Sequence, residues 1–200
     1  MTGFDAAAGV ALLLVRPGML VLATPFFGAV YAPLQMRVGV TVILALVLAP
    51  FVAVPPPAPA VGLILVLARE MAIGLSLALA IRVLVVGAEF AGHFSGYQIG
   101  LSLGALIDPQ TGVRNNILAL VYANVAIVVC LVTNAHHALL RALAESYREL
   151  PIGQGSVDPA LASGVAGLLG VVFVLGVRIA TPVVIVMLIV EVALGLAGRV

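Results

Sequence analysis

Six ionisable side chains interrupt runs of residues that are otherwise apolar: Arg69, Glu70, Arg82, Glu89, Arg178 and Glu191. Guanidinium and carboxylate groups at such positions have three uses. They can pair between helices, relay protons or ions, or face protein and water in an assembly whose helices never meet lipid. Alone in lipid, each costs at least ~2.5–3.5 kcal/mol at a bilayer centre, so six isolated ones would offset most of what the apolar residues gain. Arg82 and Glu89 fall on one helix face but too far apart for direct pairing. Arg69 and Glu70 are adjacent and point apart, so each needs a partner elsewhere. The histidine pair His136-His137 has no acidic ligand set beside it, and neighbours on a helix diverge by about 100°, which disfavours one shared metal. No Gly-x-Ser-x-Gly elbow and no phosphate-binding loop occurs. No catalytic centre, metal or cofactor is expected, and the protein reads as a non-enzyme. Lone Cys130, between Val129 and Leu131, is expected to act as a small hydrophobe.

The elements that must position these groups are helices. Of 200 residues, 64% are apolar and 8% charged, with mean hydropathy +1.30. Globular domains run near ~45–50% apolar and ~25% charged, so a soluble fold could not cover its surface. The alanine-, valine- and leucine-rich runs do not alternate, which excludes a membrane barrel. The fold class is all-α, a multi-helix integral membrane or membrane-complex protein with kinked and broken helices. All nine basic residues are Arg against eight acidic ones, a net charge of +1 with no basic run of the kind that would mark nucleic acid or anionic lipid as a partner. The N-terminus lacks a basic stretch before its first apolar run, so no cleaved signal peptide is expected.

Hydropathy gives five blocks in one domain. The first, about 6–27, is interrupted by Arg16-Pro17-Gly18, where a kink or break is expected. The second, about 38–54, ends at the stiff linker Pro55-Pro56-Pro57-Ala58-Pro59. The third runs from 61 to about 106, and the fourth from about 117 to 132. An amphipathic piece then reaches Leu150, with Leu140, Leu143, Tyr147 and Leu150 on one face, as a helix at the water boundary. The fifth, 160–198, is long enough for two helices with a bend near Gly176 or Thr181-Pro182.

The third block carries a small residue at every fourth position: Ala88, Gly92, Gly96, Gly100, Gly104. Each helix-interior glycine costs about 1 kcal/mol relative to alanine in water, so something must need the bare backbone. Small-xxx-small spacing lets helices approach closely, within the chain or between subunits. A third use is a bent or mobile segment facing a channel. Between the glycines lie His93, Tyr97, Gln98 and Ser102, and the run ends at Asp108-Pro109, as a gate lining an aqueous path would.

The order of these segments resembles a known family. Pro25-Phe-Phe-Gly28 with Pro33 and Arg37, Glu70-Met-Ala-Ile-Gly74-Leu-Ser-Leu, and Gly96-Tyr-Gln98-Ile-Gly100-Leu-Ser-Leu-Gly104-Ala-Leu-Ile-Asp108-Pro109-Gln110-Thr-Gly112 are similar to the flagellar biosynthetic FliR family, shared with the T subunit of the injectisome export apparatus. Asn134-Ala-His136-His137, Ala180-Thr-Pro182 and Glu191-Val-Ala-Leu-Gly195 resemble its later segments. The resemblance covers essentially the whole chain. It implies a core subunit of the type III protein export gate at the flagellar basal body, a multi-pass protein of the bacterial inner membrane. FliP-like, FliQ-like and FlhB-like subunits would be its partners, with membrane lipid around it and unfolded flagellar proteins in transit. It also implies a plug or gate at Gly100, Leu103, Gly104, Leu106, Asp108 and Pro109, although family members often carry aromatics where Leu103 and Leu106 stand. Members continue past the equivalent of Arg199, so the resemblance implies a chain truncated at its C-terminus. The alternative is a self-contained small-molecule or ion transporter relaying through Glu70, Arg82 and Glu89. If the glycine ladder is special, Gly100→Val or Gly104→Val reduces recovery of assembled complex more than Ala68→Val does; equal recovery would remove its special status.

Overall fold

The computed structural model describes residues 3–27, 32–52, 60–99, 116–153 and 159–198. They form six α-helices: α1 (Gly3–Ala23), α2 (Leu34–Leu48), α3 (Ala60–Gln98), α4 (Ile117–Val132), α5 (Ala135–Glu149) and α6 (Pro159–Ala197). Short 3₁₀ turns occupy Pro25–Phe27 and Ala49–Phe51, and no strand occurs among the described residues. The fold is therefore all-α. Leu34–Phe51, Gly62–Gln98 and Gly170–Ala197 are each long and apolar enough to cross a membrane.

The prolines and glycines act differently from the sequence expectation. Pro17 lies inside a continuous α1 and does not break it. A proline removes the bond to the carbonyl four residues back, here that of Leu13, and the Tyr147 hydroxyl donates to that oxygen at 3.4 Å. Pro182 likewise lies inside α6, so the fifth block is one helix of 39 residues and not two. The break falls at Thr133-Asn134, where Asn134 takes the left-handed conformation with φ 58°. Asparagine tolerates that conformation better than other non-glycine residues.

The chain divides into two compact units. One comprises Met1–Arg82 and Leu131–Val165, the other Val83–Cys130 and Ala166–Val200. In the first, Leu12, Leu20 and Val21 of α1 pack with Ile81 of α3 and with Leu139, Leu143 and Tyr147 of α5, closed by Ile152. The buried stripe of α5 is thus Leu139, Leu143 and Tyr147, while Leu150 is exposed. Strict i,i+4 spacing places all three over one groove. Burying an aliphatic side chain of this size contributes about 1.5–3 kcal/mol. At Gly74 the α3 backbone runs against α1: a Cβ there would stand 2.5 Å from the Arg16 carbonyl oxygen.

The second unit is built on small residues. Its buried apolar positions are Val83, Val85, Ala88, Ala91, Ala119, Cys130 and Ala180, while Phe94, Tyr97, Leu120 and Val121 point outward. At Gly87 and Gly176, α3 and α6 meet nearly backbone to backbone, with the Phe90 ring laid on Gly176. Phe90 also meets Phe173, with ring centroids 5.9 Å apart. Gly176 serves this crossing rather than a bend. Gly92 lies against α4, where a Cβ would stand 2.5 Å from Ala119 Cα and 2.7 Å from the Leu118 carbonyl. Close approach of this kind supplies packing that apolar burial cannot supply in lipid.

A matched pair of substitutions follows. Gly92→Ala forces backbone against backbone and lowers the melting temperature of the detergent-solubilised chain. Gly170→Ala, whose Cβ meets nothing within 4 Å, leaves it unchanged or raises it by up to the ~1 kcal/mol of helix propensity. Equal responses would show that Gly92 does not set the α3–α4 approach.

Candidate functional site

The most enclosed polar centre lies in the first unit. Arg16, on α1, and Glu70, on α3, are 0% and 1% exposed, and Arg16 Nε donates to Glu70 Oε2 at 2.7 Å. Gly74 follows Glu70 by one helical turn, so the notch that lets α1 approach also brings the carboxylate to it. The guanidinium is engaged on its other edges too. Nη1 donates to Ser146 Oγ at 2.9 Å and Nη2 to the Leu150 carbonyl at 3.0 Å. Ser146 in turn donates to the Leu143 carbonyl at 2.7 Å. The Tyr147 ring lies under the guanidinium carbon, 4.1 Å from centroid to carbon. Burial pushes the Tyr147 phenol above its ordinary pKa, against the pull of the Arg16 charge, so the hydroxyl stays a donor to the Leu13 carbonyl.

One guanidinium therefore ties α1, α3 and the end of α5 together. Buried from solvent and engaged on every edge, it holds structure and presents nothing to a dissolved substrate. Sequence reasoning placed Glu70 among the groups needing a partner but treated Arg16 as part of a Pro-Gly interruption. The signal was present: Arg16 is an ionisable group inside an apolar block, the same criterion that singled out the other six.

The remaining charges are placed otherwise. Arg69 is half-buried. Arg82 is exposed and donates through Nη1 to the Ala23 carbonyl at 3.3 Å, a cation closing the C-terminus of α1. Glu89 is exposed, with Oε1 4.0 Å from Nε2 of His93 one turn later. Arg178 and Glu191 are exposed on α6, and no further salt bridge joins these groups among the described residues. Among the same residues, no group of three His, Cys, Asp or Glu could hold a metal ion.

Gly92 and Gly96 form a notch filled from within the second unit. A Cβ on Gly96 would collide with the Asn116 side chain. Asn116 caps α4, with Oδ1 accepting from Leu118 N at 3.0 Å. Its Nδ2 donates to the Gly92 and His93 carbonyls, each at 3.2 Å. Asn116 was missed in the sequence, although an asparagine just before an apolar run is a helix-start signal. Gly100, Leu103, Gly104, Leu106, Asp108 and Pro109 lie outside the described residues.

Comparison with known proteins gives the following similarities. The sequence profile of bacterial export proteins, family 1, matches residues 7–200. The flagellar biosynthetic protein FliR of Bacillus subtilis (strain 168) is 28% identical over 120 residues, 58% of this chain and 46% of that protein. The protein of the same name from Escherichia coli (strain K12) is 28% identical over 109 residues, 54% of this chain and 42% of that one. That of Caulobacter vibrioides is 28% identical over 194 residues, 95% of this chain and 77% of that one. The matches to the Bacillus and Escherichia proteins thus span less than half of their lengths.

The buried pair can be tested by substitution from both sides. Arg16→Met or Glu70→Gln leaves an uncompensated partner and destabilises the chain by about 3–5 kcal/mol. The double variant Arg16→Met/Glu70→Gln loses less than the sum of the single changes. Thermal unfolding in one detergent reads all three, and additive losses would show that the two side chains act independently.

Proposed function

This chain belongs to the bacterial export proteins, family 1, and on that premise we propose that it is a core subunit of the flagellar type III protein export gate. It assembles with FliP-like and FliQ-like subunits, and with an FlhB-like subunit, into a gated pore for unfolded flagellar proteins in the bacterial inner membrane at the basal body. Gly100, Leu103, Gly104, Leu106, Asp108 and Pro109 form the plug in this proposal. The names of the relatives, flagellar biosynthetic proteins, support the flagellar assignment.

The observation that carries the reading is α6. Its stretch Gly170–Ala197 is apolar, yet among its described positions only Gly176 and Ala180 are buried within the chain. Arg178 lies about 12 Å along it, at 1.5 Å per residue, and Glu191 follows further on. At ~100° per residue the two side chains leave the helix roughly 140° apart, so one neighbour on one face does not serve both. Ionisable groups within spanning segments face protein or water, not acyl chains. A helix with such groups on two sides therefore calls for partners on two sides, as a subunit enclosed in an assembly has.

Co-expression with FliP-like and FliQ-like proteins, pull-down in mild detergent and native mass measurement test this. The expected result is a defined complex containing this chain, weakened by Arg178→Leu or Glu191→Leu. A chain that stays monodisperse alone and never co-purifies with them would overturn the reading.

A further inference from the structure

A second polar site lies in the first unit, away from the Arg16–Glu70 centre. Thr133, Asn134, His137, Ala138 and Arg141 line an open cavity of about 500 Å³ where α5 begins. That volume falls in the ~300–1,000 Å³ range of sites for small molecules. Its three polar anchors lie along one side of the chain, because His137 and Arg141 are i,i+4 neighbours and Asn134 is one turn earlier. They are also oriented. The left-handed backbone of Asn134 starts α5, and its Oδ1 faces His137 Nδ1 at 3.2 Å. That bond uses Oδ1 and Nδ1, leaving Asn134 Nδ2 and His137 Nε2 as the groups that can meet a ligand. Arg141 is exposed, and no carboxylate lies within salt-bridge distance of it among the described residues. The lining contains a guanidinium fork, an amide and an imidazole but no carboxylate.

We propose that this cavity binds the phosphate of an anionic glycerophospholipid. The guanidinium presents parallel N–H groups matched to two phosphate oxygens, with Asn134 Nδ2 as a further donor. A zwitterionic headgroup would bring an ammonium for which the lining has no carboxylate. Lipid is the source, rather than a dissolved anion, because of where the cavity sits. The chain enters it from Leu131 and Val132, both exposed and apolar, and leaves it along α5, whose polar side carries Arg141, Glu145, Arg148 and Glu149 exposed to water. A step from exposed apolar to exposed charged surface is the one that a membrane–water boundary makes. The inference rests on membrane residence and not on the export reading.

The test is native mass spectrometry of the full chain in detergent with added phosphatidylglycerol, phosphatidylethanolamine or inorganic phosphate. Phosphatidylglycerol is expected to bind at least tenfold more tightly than phosphatidylethanolamine. Arg141→Gln abolishes that preference, Arg141→Lys keeps part of it, and Arg148→Gln, on the same helix outside the cavity, leaves it intact. Thermal unfolding of each variant confirms that the fold is retained, as expected for exposed side chains. Equal retention of the two lipids, or an Arg148→Gln loss matching that of Arg141→Gln, would overturn the proposal. So would displacement of phosphatidylglycerol by millimolar inorganic phosphate, which would mark the cavity as a site for free anions.

Discussion

A guanidinium and a carboxylate without water have few places to go, and in this chain each has the other. The 2.7 Å bond between Arg16 and Glu70 fixes α1 against α3, and the other arms of Arg16 fix the end of α5. Removing such charges from water costs several kcal/mol each, recovered only when geometry and secondary bonds are complete. Completion here depends on residues whose roles are otherwise obscure. Gly74 clears the approach, Ser146 and the Leu150 carbonyl take the remaining donors, and Tyr147 covers the flat face. Pro17 exposes the Leu13 carbonyl that takes the Tyr147 hydroxyl. The register of three helices follows from a single saturated side chain.

The second unit reaches cohesion by the opposite means. It has no buried ion pair among its described residues, and its interior is alanine, valine and glycine. Lipid tails solvate a leucine as well as a neighbouring helix does, so helices inside a membrane gain from close contact rather than from hiding apolar surface. Gly87 with Gly176, and Gly92 with Ala119, provide that contact. Asn116 adds polar bonds where α4 begins, and they reach the α3 carbonyls because Gly96 has no side chain in the way. The glycine ladder thus has an intrachain use over Gly92 and Gly96.

The sequence made helix type and number of blocks legible because long apolar runs have few other solutions. The limits of α4 coincide with the hydropathy block, since polar residues flank it on both sides. Those of α2 lie a few residues earlier than its block, because Pro33 starts the helix before the hydropathy rises and Pro50 tightens its end into a 3₁₀ turn. Proline and glycine were less informative. The same residue types that break helices in water are accommodated in α1 and α6, and in α1 a tyrosine hydroxyl compensates. Pairing was not legible either. Glu70 and Arg16 are 54 positions apart, and no local pattern links them. Asn116 and Gly96, likewise far apart in sequence, meet without a local pattern that links them.

The two modes of packing differ in what they turn inward. The core closed by the saturated guanidinium takes in Leu12, Leu20, Leu139 and Leu143, while α2 leaves Leu34, Met36, Ile43 and Leu46 exposed. A core of glycine and alanine sends its large side chains outward, and α3, α4 and α6 accordingly present Phe94, Tyr97, Leu120, Val121 and Phe173. Lipid accepts most of these, but it does not accept Arg178 or Glu191 on an otherwise apolar helix. In a chain with 8% charged residues, a charge kept on such a surface has a use beyond solubility.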